Sequence, residues 1–190
     1  MKTIYTISLF ALLAPLTCPA LTLFDFNTKP TFFHFQNSET TVALSLADES
    51  ALPASKSLQA KYEFAGDQAY IGLAIDFKHL APKQGQWETF TGLTVVAKAA
   101  EPTKLVVQLI VAGKTYSTTL EITKNWTRFT VPFTDFKLKD GGSFDPKTMK
   151  IDRLALRPGR KPNANTLLVD EITLEETVSA AKQEPVTPTK

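Results

Sequence analysis

Alternation of apolar and polar residues is the main regularity of the chain after residue 20. Short runs rich in Val, Ile, Leu, Thr and Phe repeat with a period of two, and strings of turn residues separate them. About ten such runs at this spacing are typical of a β-sandwich or barrel, because successive side chains of a strand point to opposite faces. The runs cover 21–26, 40–46, 57–64, 69–77, 92–99, 104–111, 115–122, 127–131, 150–157 and 166–175. The pattern predicts an all-β domain.

The same alternation assigns faces to individual side chains. In the run 69–77, Ile71, Leu73 and Ile75 share the predicted core face, and Tyr70 and Asp76 lie on the other face. The run 104–111 is apolar on both faces, which indicates a strand in the middle of its sheet. Together with 115–122 it forms the clearest predicted hairpin, joined by Ala-Gly-Lys at 112–114.

The first twenty residues predict a signal peptide. Lys2 precedes an apolar run from Ile4 to Leu16 that is too short to span a bilayer, and Cys18 and Ala20 place small residues before a cleavage site at Leu21. The alternative is a lipoprotein modified at Cys18, although Thr17 before that cysteine is a poor match. Cleavage after Ala20 leaves a chain without cysteine, which excludes disulfides, zinc thiolates and a thiol nucleophile.

The composition of the chain argues against a nucleic-acid-binding protein and against a membrane-spanning protein. A formal charge of +2 lacks the excess of basic residues that neutralises nucleic-acid phosphates, and 43% hydrophobic residues provide a core. No later segment is apolar enough to span a membrane. Residues 176–190 are rich in Pro, Lys, Gln and Thr without aromatic residues, which predicts a disordered tail. The predicted organisation is a signal peptide at 1–20, one domain at 21–175 and a tail at 176–190.

Several short motifs follow one another along the chain in a characteristic order. They are Leu23-Phe24-Asp25-Phe26, Ser57-Leu58-Gln59-Ala60-Lys61-Tyr62, Phe90-Thr91-Gly92-Leu93-Thr94-Val95, Asn125-Trp126-Thr127-Arg128-Phe129-Thr130-Val131-Pro132-Phe133 and Leu168-Val169-Asp170-Glu171-Ile172-Thr173-Leu174. Their order resembles that of galactose-binding-like jelly rolls, and most closely that of family 11 carbohydrate-binding modules and the complex I intermediate-associated protein family. The resemblance extends from residue 21 to about 175 and implies a jelly-roll β-sandwich of two antiparallel sheets.

This resemblance implies a concave sheet face that binds a glycan, with aromatic rings under the sugars and polar groups on the hydroxyls. The side chains that the sequence offers on non-core faces of neighbouring runs are Tyr70, Asp76, Gln108, Arg153 and Arg157. Tyr116 and His79 are weaker candidates. The alternative is that Asp76 and the arginines form ordinary surface ion pairs.

The resemblance also implies a structural calcium ion between the first and last strands. Asp25 and Asp170 occupy the matching motifs, and calcium takes carboxylate and carbonyl oxygens. The alternative is that both are plain strand-edge carboxylates, since the chain has no compact Asp-rich calcium loop.

The remaining aromatic residues are expected to pack. Trp126 precedes a predicted strand and is expected in a core, whereas Trp87 is equally compatible with packing and exposure. The cluster Phe32, Phe33, His34 and Phe35 is expected to form a loop plug under one end of the sandwich, with a binding patch as the alternative.

No catalytic motif is present: the chain has no nucleophile elbow, phosphate loop or paired metal-binding histidines. We therefore expect a secreted, monomeric, non-enzymatic module that binds a β-glucan-like polysaccharide, without nucleic-acid or membrane partners. The alternatives are a protein-interaction or assembly domain and, on the same fold, a hydrolase with two facing carboxylates. Exposed aromatic rings on the candidate face would favour the glycan.

Overall fold

A computed structural model describes residues 20–24, 26, 32–53, 55–76 and 87–188, and gives these residues an almost entirely β structure. Two single-turn 3-10 helices lie at Trp87–Thr89 and Phe133–Asp135. The strands are β1 (Leu21–Phe24), β2 (Phe32–Gln36), β3 (Thr40–Ala47), β4 (Ser57–Phe64), β5 (Ile71–Asp76), β6 (Gly92–Ala99), β7 (Thr103–Val111), β8 (Lys114–Ile122), β9 (Thr127–Pro132), β10 (Arg153–Pro158), β11 (Ala164–Glu175) and β12 (Lys182–Pro185).

The strands form two antiparallel sheets that pack face to face. One sheet has seven strands in the order β12-β9-β6-β11-β4-β3, with β1 pairing to β11, and the other has five strands in the order β2-β5-β10-β7-β8. The predicted jelly-roll β-sandwich is therefore confirmed. The side chains that alternate inward from both sheets form one continuous core, in which Leu73, Leu109, Leu154 and Val169 are all fully buried.

The hairpin β7–β8 shows how local sequence sets the register. Its two turn residues, Ala112 and Gly113, have φ values of 47° and 78°, which is the type I′ geometry that matches the twist of a two-residue hairpin. Strand β7 lies between β8 and β10, as an interior strand that is second from the edge of the sheet, and β10 is the middle strand. The apolar residues on both faces of β7 predicted an interior strand correctly, but not its exact place.

A second, smaller cluster lies on the outer side of the seven-stranded sheet. Trp126 is buried there with Ala51, Val96 and Leu168, and Val186 of the C-terminal segment packs against them. Lys98 lies 5.4 Å above the Trp126 ring and pairs with Glu49. Trp126 therefore packs as expected, although in a satellite cluster that fixes the loop after β3 and not between the two sheets.

Two strands extend the predicted set of ten. Strand β2 contains the Phe-rich segment that was expected to be a loop plug, and it pairs with β5 over its whole length. Strand β12 lies within the segment expected to be a disordered tail and pairs with β9. The pairing uses the backbone groups of β9 at an open sheet edge, and Val186 anchors the segment by packing against the Trp126 cluster and donating its N–H to the Trp126 carbonyl oxygen. The polar composition of residues 176–190 therefore does not prevent this strand from forming.

Several predictions fall outside the described residues. The signal peptide lies almost entirely outside them, as do Asp25 and His79. Trp87 and Asp76 are placed along the backbone, while their side chains are not described. Within the described part of the chain, no helix has the length and apolar character needed to cross a membrane.

Candidate functional site

The outer face of the five-stranded sheet brings together four of the five candidate side chains. Ala155 of β10 pairs with Gln108 on one side and with Ala74 on the other, so these residues form one row across the sheet. Arg157 and Arg153 lie two residues away along β10 in either direction, on the same face. Tyr70 precedes β5 and continues its outward alternation. We call this surface the five-stranded face.

Aromatic rings cover the end of the five-stranded face next to β2. Phe33 and Phe35 of β2 pair with Ala74 and Gly72, so both point outward from the core. Phe33 is 37% exposed and Tyr70 is 39% exposed, two of the largest exposed apolar surfaces of the described residues. The Phe35 and Tyr70 ring centroids are 6.3 Å apart at 50°. Three rings therefore follow one edge of this face.

Each of the two exposed rings has an arginine beside it. The Arg153 guanidinium lies 4.9 Å from the centroid of Phe33, and the Arg157 guanidinium lies 5.7 Å from the centroid of Tyr70. Each guanidinium lies over its ring, where the cation is attracted to the ring quadrupole. The ring surface that stays exposed and the N–H donors of the arginine are thus close together, as recognition of a sugar ring requires.

Gly72 is required beneath Phe35. A Cβ atom at position 72 would collide with the Phe35 ring, which lies directly on the strand. We expect Gly72→Ala to displace this ring and to lower the free energy of unfolding by about 1–3 kcal/mol, as overpacking does. Urea denaturation measures the loss. In a Phe35→Ala background the same glycine substitution should cost much less, and an equal cost in both backgrounds would contradict the contact.

The remaining candidates are placed differently. The backbone of Asp76 pairs with that of Arg153 at the end of β5. Tyr116 is buried in the core, with its ring centroid 5.7 Å from that of Phe144, because its phase along β8 is that of Leu120. Sequence reasoning missed Phe33 and Phe35 as surface residues. Their alternation with Phe32 and His34 in an aromatic-rich run was the signal for a strand.

Asp170 lies away from the five-stranded face, at a bulge in β11, and its side chain is fully buried. One carboxylate oxygen accepts the N–H groups of Ala51 and Leu52 at 2.6 and 2.8 Å, and the other accepts the Ser55 hydroxyl at 2.6 Å. Three donors thus point at the two oxygens that calcium would need. The carboxylate as placed fits a loop anchor better than a calcium ligand, and no group of three metal-binding side chains occurs among the described residues.

A cavity of about 440 Å³ lies at the other sheet, between β3, β4 and the start of β11. Its charged lining residues are Lys61, Glu63 and Glu101. The one aromatic residue among its described lining is Tyr62, whose ring is buried in the core. This cavity therefore offers no exposed ring on which a sugar could stack.

Comparison of the fold with solved structures identifies similar proteins. The family 11 carbohydrate-binding module of a cellulosomal cellulase of Clostridium thermocellum matches with a TM-score of 0.64 and 14% identity, over 83% of this chain and 94% of that chain. The same type of module, solved in complex with a beta-1,3-1,4-mixed-linked tetrasaccharide, matches with a TM-score of 0.64 and 13% identity, over 82% of this chain and 95% of that chain. A family 30 module of another cellulosomal cellulase of this organism matches with a TM-score of 0.58 and 12% identity, over 83% and 97%.

Comparison at the level of sequence finds no relative, since no family model and no curated protein matches the chain. The structural matches confirm the resemblance to family 11 modules at the level of the fold, and they leave its complex I-associated part untested. At these identities the fold is what is shared. The chain therefore has the jelly-roll β-sandwich fold of the family 11 and family 30 carbohydrate-binding modules.

Proposed function

We propose that the protein is a secreted, non-catalytic module that binds a polysaccharide on the five-stranded face. The observation that carries this proposal is the pair of exposed rings, Phe33 and Tyr70, each beside an arginine on one sheet surface. The modules that share the fold are named for carbohydrate binding, which supports the same class of ligand.

The physical basis is the two-sided character of a pyranose ring. Its C–H groups form apolar patches that pack on an aromatic face, and its hydroxyls need donors and acceptors held in place. Tyr70 and Phe33 provide the faces, while Arg157 and Gln108 provide the polar groups. Hydrolysis would need two carboxylates across the bond to be cleaved, and the described residues that line the cavity beside Tyr70 and Arg157 include no carboxylate.

The ligand specificity and the metal are finer proposals. A β-glucan-like ligand follows from the resemblance, and a family 11 neighbour was solved with a mixed-linked tetrasaccharide.

A structural calcium ion would need Asp170 to exchange the Ser55 hydroxyl for the ion, together with Asp25. Thermal unfolding with added calcium and with a chelator tests whether such an ion binds, since an ion at free concentration c that binds the folded state stabilises it by RT ln(1 + c/Kd) and raises the melting temperature as its concentration increases.

The binding proposal is tested by affinity electrophoresis through gels with soluble β-glucan, xylan, mannan and galactan, and by isothermal titration calorimetry with charged polysaccharides. We expect at least one polysaccharide to bind, and Phe33→Ala to weaken its binding about fivefold to tenfold, because about 1 kcal/mol of stacking is lost. Leu46→Ala is the matched control, since Leu46 is a similarly exposed apolar side chain on the opposite sheet.

Two results would contradict the proposal. Equal loss of binding in the Leu46 and Phe33 variants would place the ligand elsewhere on the molecule. Absence of binding to every polysaccharide would favour the alternative function, a protein-interaction or assembly domain that uses the same exposed rings.

A further inference from the structure

A cavity of about 450 Å³ opens at the end of the five-stranded face beside Tyr70. It is formed where the start of β5, the middle of β7 and the end of β10 meet the loop that follows β10. The residues that line it and carry the argument are Gln68, Tyr70, Val106, Arg157 and Arg160. We call it the Arg157 cavity.

The charge of the Arg157 cavity is unbalanced. Arg157 and Arg160 are its charged lining residues, and no carboxylate occurs among the described residues that line it. Asp67 lines a neighbouring cavity that also includes Arg160, and the Glu39 carboxylate accepts the Gln68 N–H at 3.2 Å. Two cations therefore face one concave surface without a counterion in its wall.

Neither arginine of the Arg157 cavity is neutralised by a carboxylate of the described residues. Five basic side chains of the described residues form ion pairs with carboxylates, namely Lys56, Lys98, Lys104, Lys124 and Arg128. Within the same described part, neither Arg157 nor Arg160 has an ion pair or a side-chain hydrogen bond. Arg153, at the other end of β10, also has no ion pair among the described residues, and its buried Nε has no hydrogen-bond partner there. Two arginines without a carboxylate partner thus lie at the Tyr70 end of the face.

The geometry suits an anionic sugar. A guanidinium presents a planar fork of N–H donors that binds a carboxylate or a sulfate through two hydrogen bonds. Arg157 lies 5.7 Å from the Tyr70 ring centroid, so a sugar stacked on Tyr70 would place a ring substituent within reach of the guanidinium. A neutral glycan would give these two cations only hydroxyl acceptors.

We propose that the glycan bound on this face is anionic, with a carboxylate or sulfate group on the sugar at Tyr70 held by Arg157 and Arg160. This inference rests on the proposed polysaccharide binding and replaces the neutral β-glucan expected from the resemblance. Such binding weakens with added salt, because dissolved ions screen the attraction between exposed charges, over a distance of about 8 Å at physiological ionic strength.

Isothermal titration calorimetry of the full chain with two matched pairs of polymers tests the inference. Polygalacturonate is compared with its methyl ester, and a sulfated galactan with its desulfated form, which separates carboxylate from sulfate recognition. We expect at least tenfold tighter binding of one anionic member than of its neutral partner, and a loss of this preference in the double variant Arg157→Gln, Arg160→Gln. Lys61→Gln, which removes a single positive charge from the opposite sheet, should leave the preference unchanged.

The outcomes separate the two proposals. Equal binding within both pairs, or tighter binding of the neutral members, overturns the anionic inference and leaves polysaccharide binding intact. An anionic preference that persists in the double variant, or that falls equally in the Lys61 variant, also overturns the assignment to Arg157 and Arg160. Failure of every polymer, including the neutral panel, overturns both proposals together.

Discussion

Replacing Asp170 by alanine is expected to lower the free energy of unfolding by about 3–5 kcal/mol, the largest effect on stability that we predict for a single substitution. Three donors converge on this fully buried carboxylate: the N–H groups of Ala51 and Leu52, and the Ser55 hydroxyl. Hydrogen bonds to a charged acceptor are the stronger kind, and donors left buried without an acceptor keep their full desolvation cost. Urea denaturation measures the loss.

Two further variants distinguish the loss of the hydrogen bonds to Asp170 from the loss of its negative charge. Asp170→Asn keeps one acceptor oxygen but directs an amide toward a donor, so we expect an intermediate loss. Asp140→Ala removes an equal charge from an exposed turn and should change stability by less than about 0.5 kcal/mol. A loss at Asp170 no larger than that at Asp140 would contradict the proposed anchoring of the loop between β3 and β4.

Replacing Tyr70 by alanine is expected to weaken polysaccharide binding about thirtyfold, the largest functional effect of a single substitution. The ring is 39% exposed, contacts Phe35 at 6.3 Å between centroids, and positions the Arg157 guanidinium at 5.7 Å. Its removal takes away the stacking surface and releases the cation at once, a loss of about 2 kcal/mol for an aromatic residue central to an interface. Calorimetric titration gives the dissociation constant.

Tyr70→Phe is the matched control. Phenylalanine keeps the ring and its interaction with Arg157, so its binding should stay within about threefold of the unmodified chain. The alanine variant should remain folded, because Tyr70 is partly exposed and lies before β5. An alanine variant that unfolds at the same urea concentration yet binds as tightly as the unmodified chain would show that Tyr70 does not contact the ligand.

The strands were predictable because their signal is local. Each of the ten runs overlaps a strand of the structure, with ends that differ by up to three residues, because period-two alternation follows burial. Strand β7 was also predictable as an interior strand from its two apolar faces. Strand β12 was not, because an added edge strand depends on the free backbone groups of β9 and not on its own side chains.

The candidate face was predicted in part for the same reason. Tyr70, Gln108, Arg153 and Arg157 were found by alternation, once neighbouring strands were guessed from the resemblance. Phe33 and Phe35 were missed because aromatic residues usually indicate a core, and only the pairing of β2 with β5 turns them outward.

Long-range contacts account for what the sequence did not reveal. Asp170 receives hydrogen bonds from residues more than 110 positions earlier in the chain, a relation that no spacing rule encodes. The unbalanced charge of the Arg157 cavity likewise depends on which carboxylates lie elsewhere. Near-neutral total charge gave no hint of it.

The location of the glycan on the five-stranded face is tested most directly by a ¹⁵N-resolved NMR titration of the chain with an oligosaccharide of the polymer that binds. We predict shift changes concentrated at residues 33–35, 70–74, 106–108 and 155–160, on strands β2, β5, β7 and β10 and the adjoining loop. Changes concentrated instead around Lys61 and Glu101, at the cavity of the seven-stranded sheet, would contradict the account.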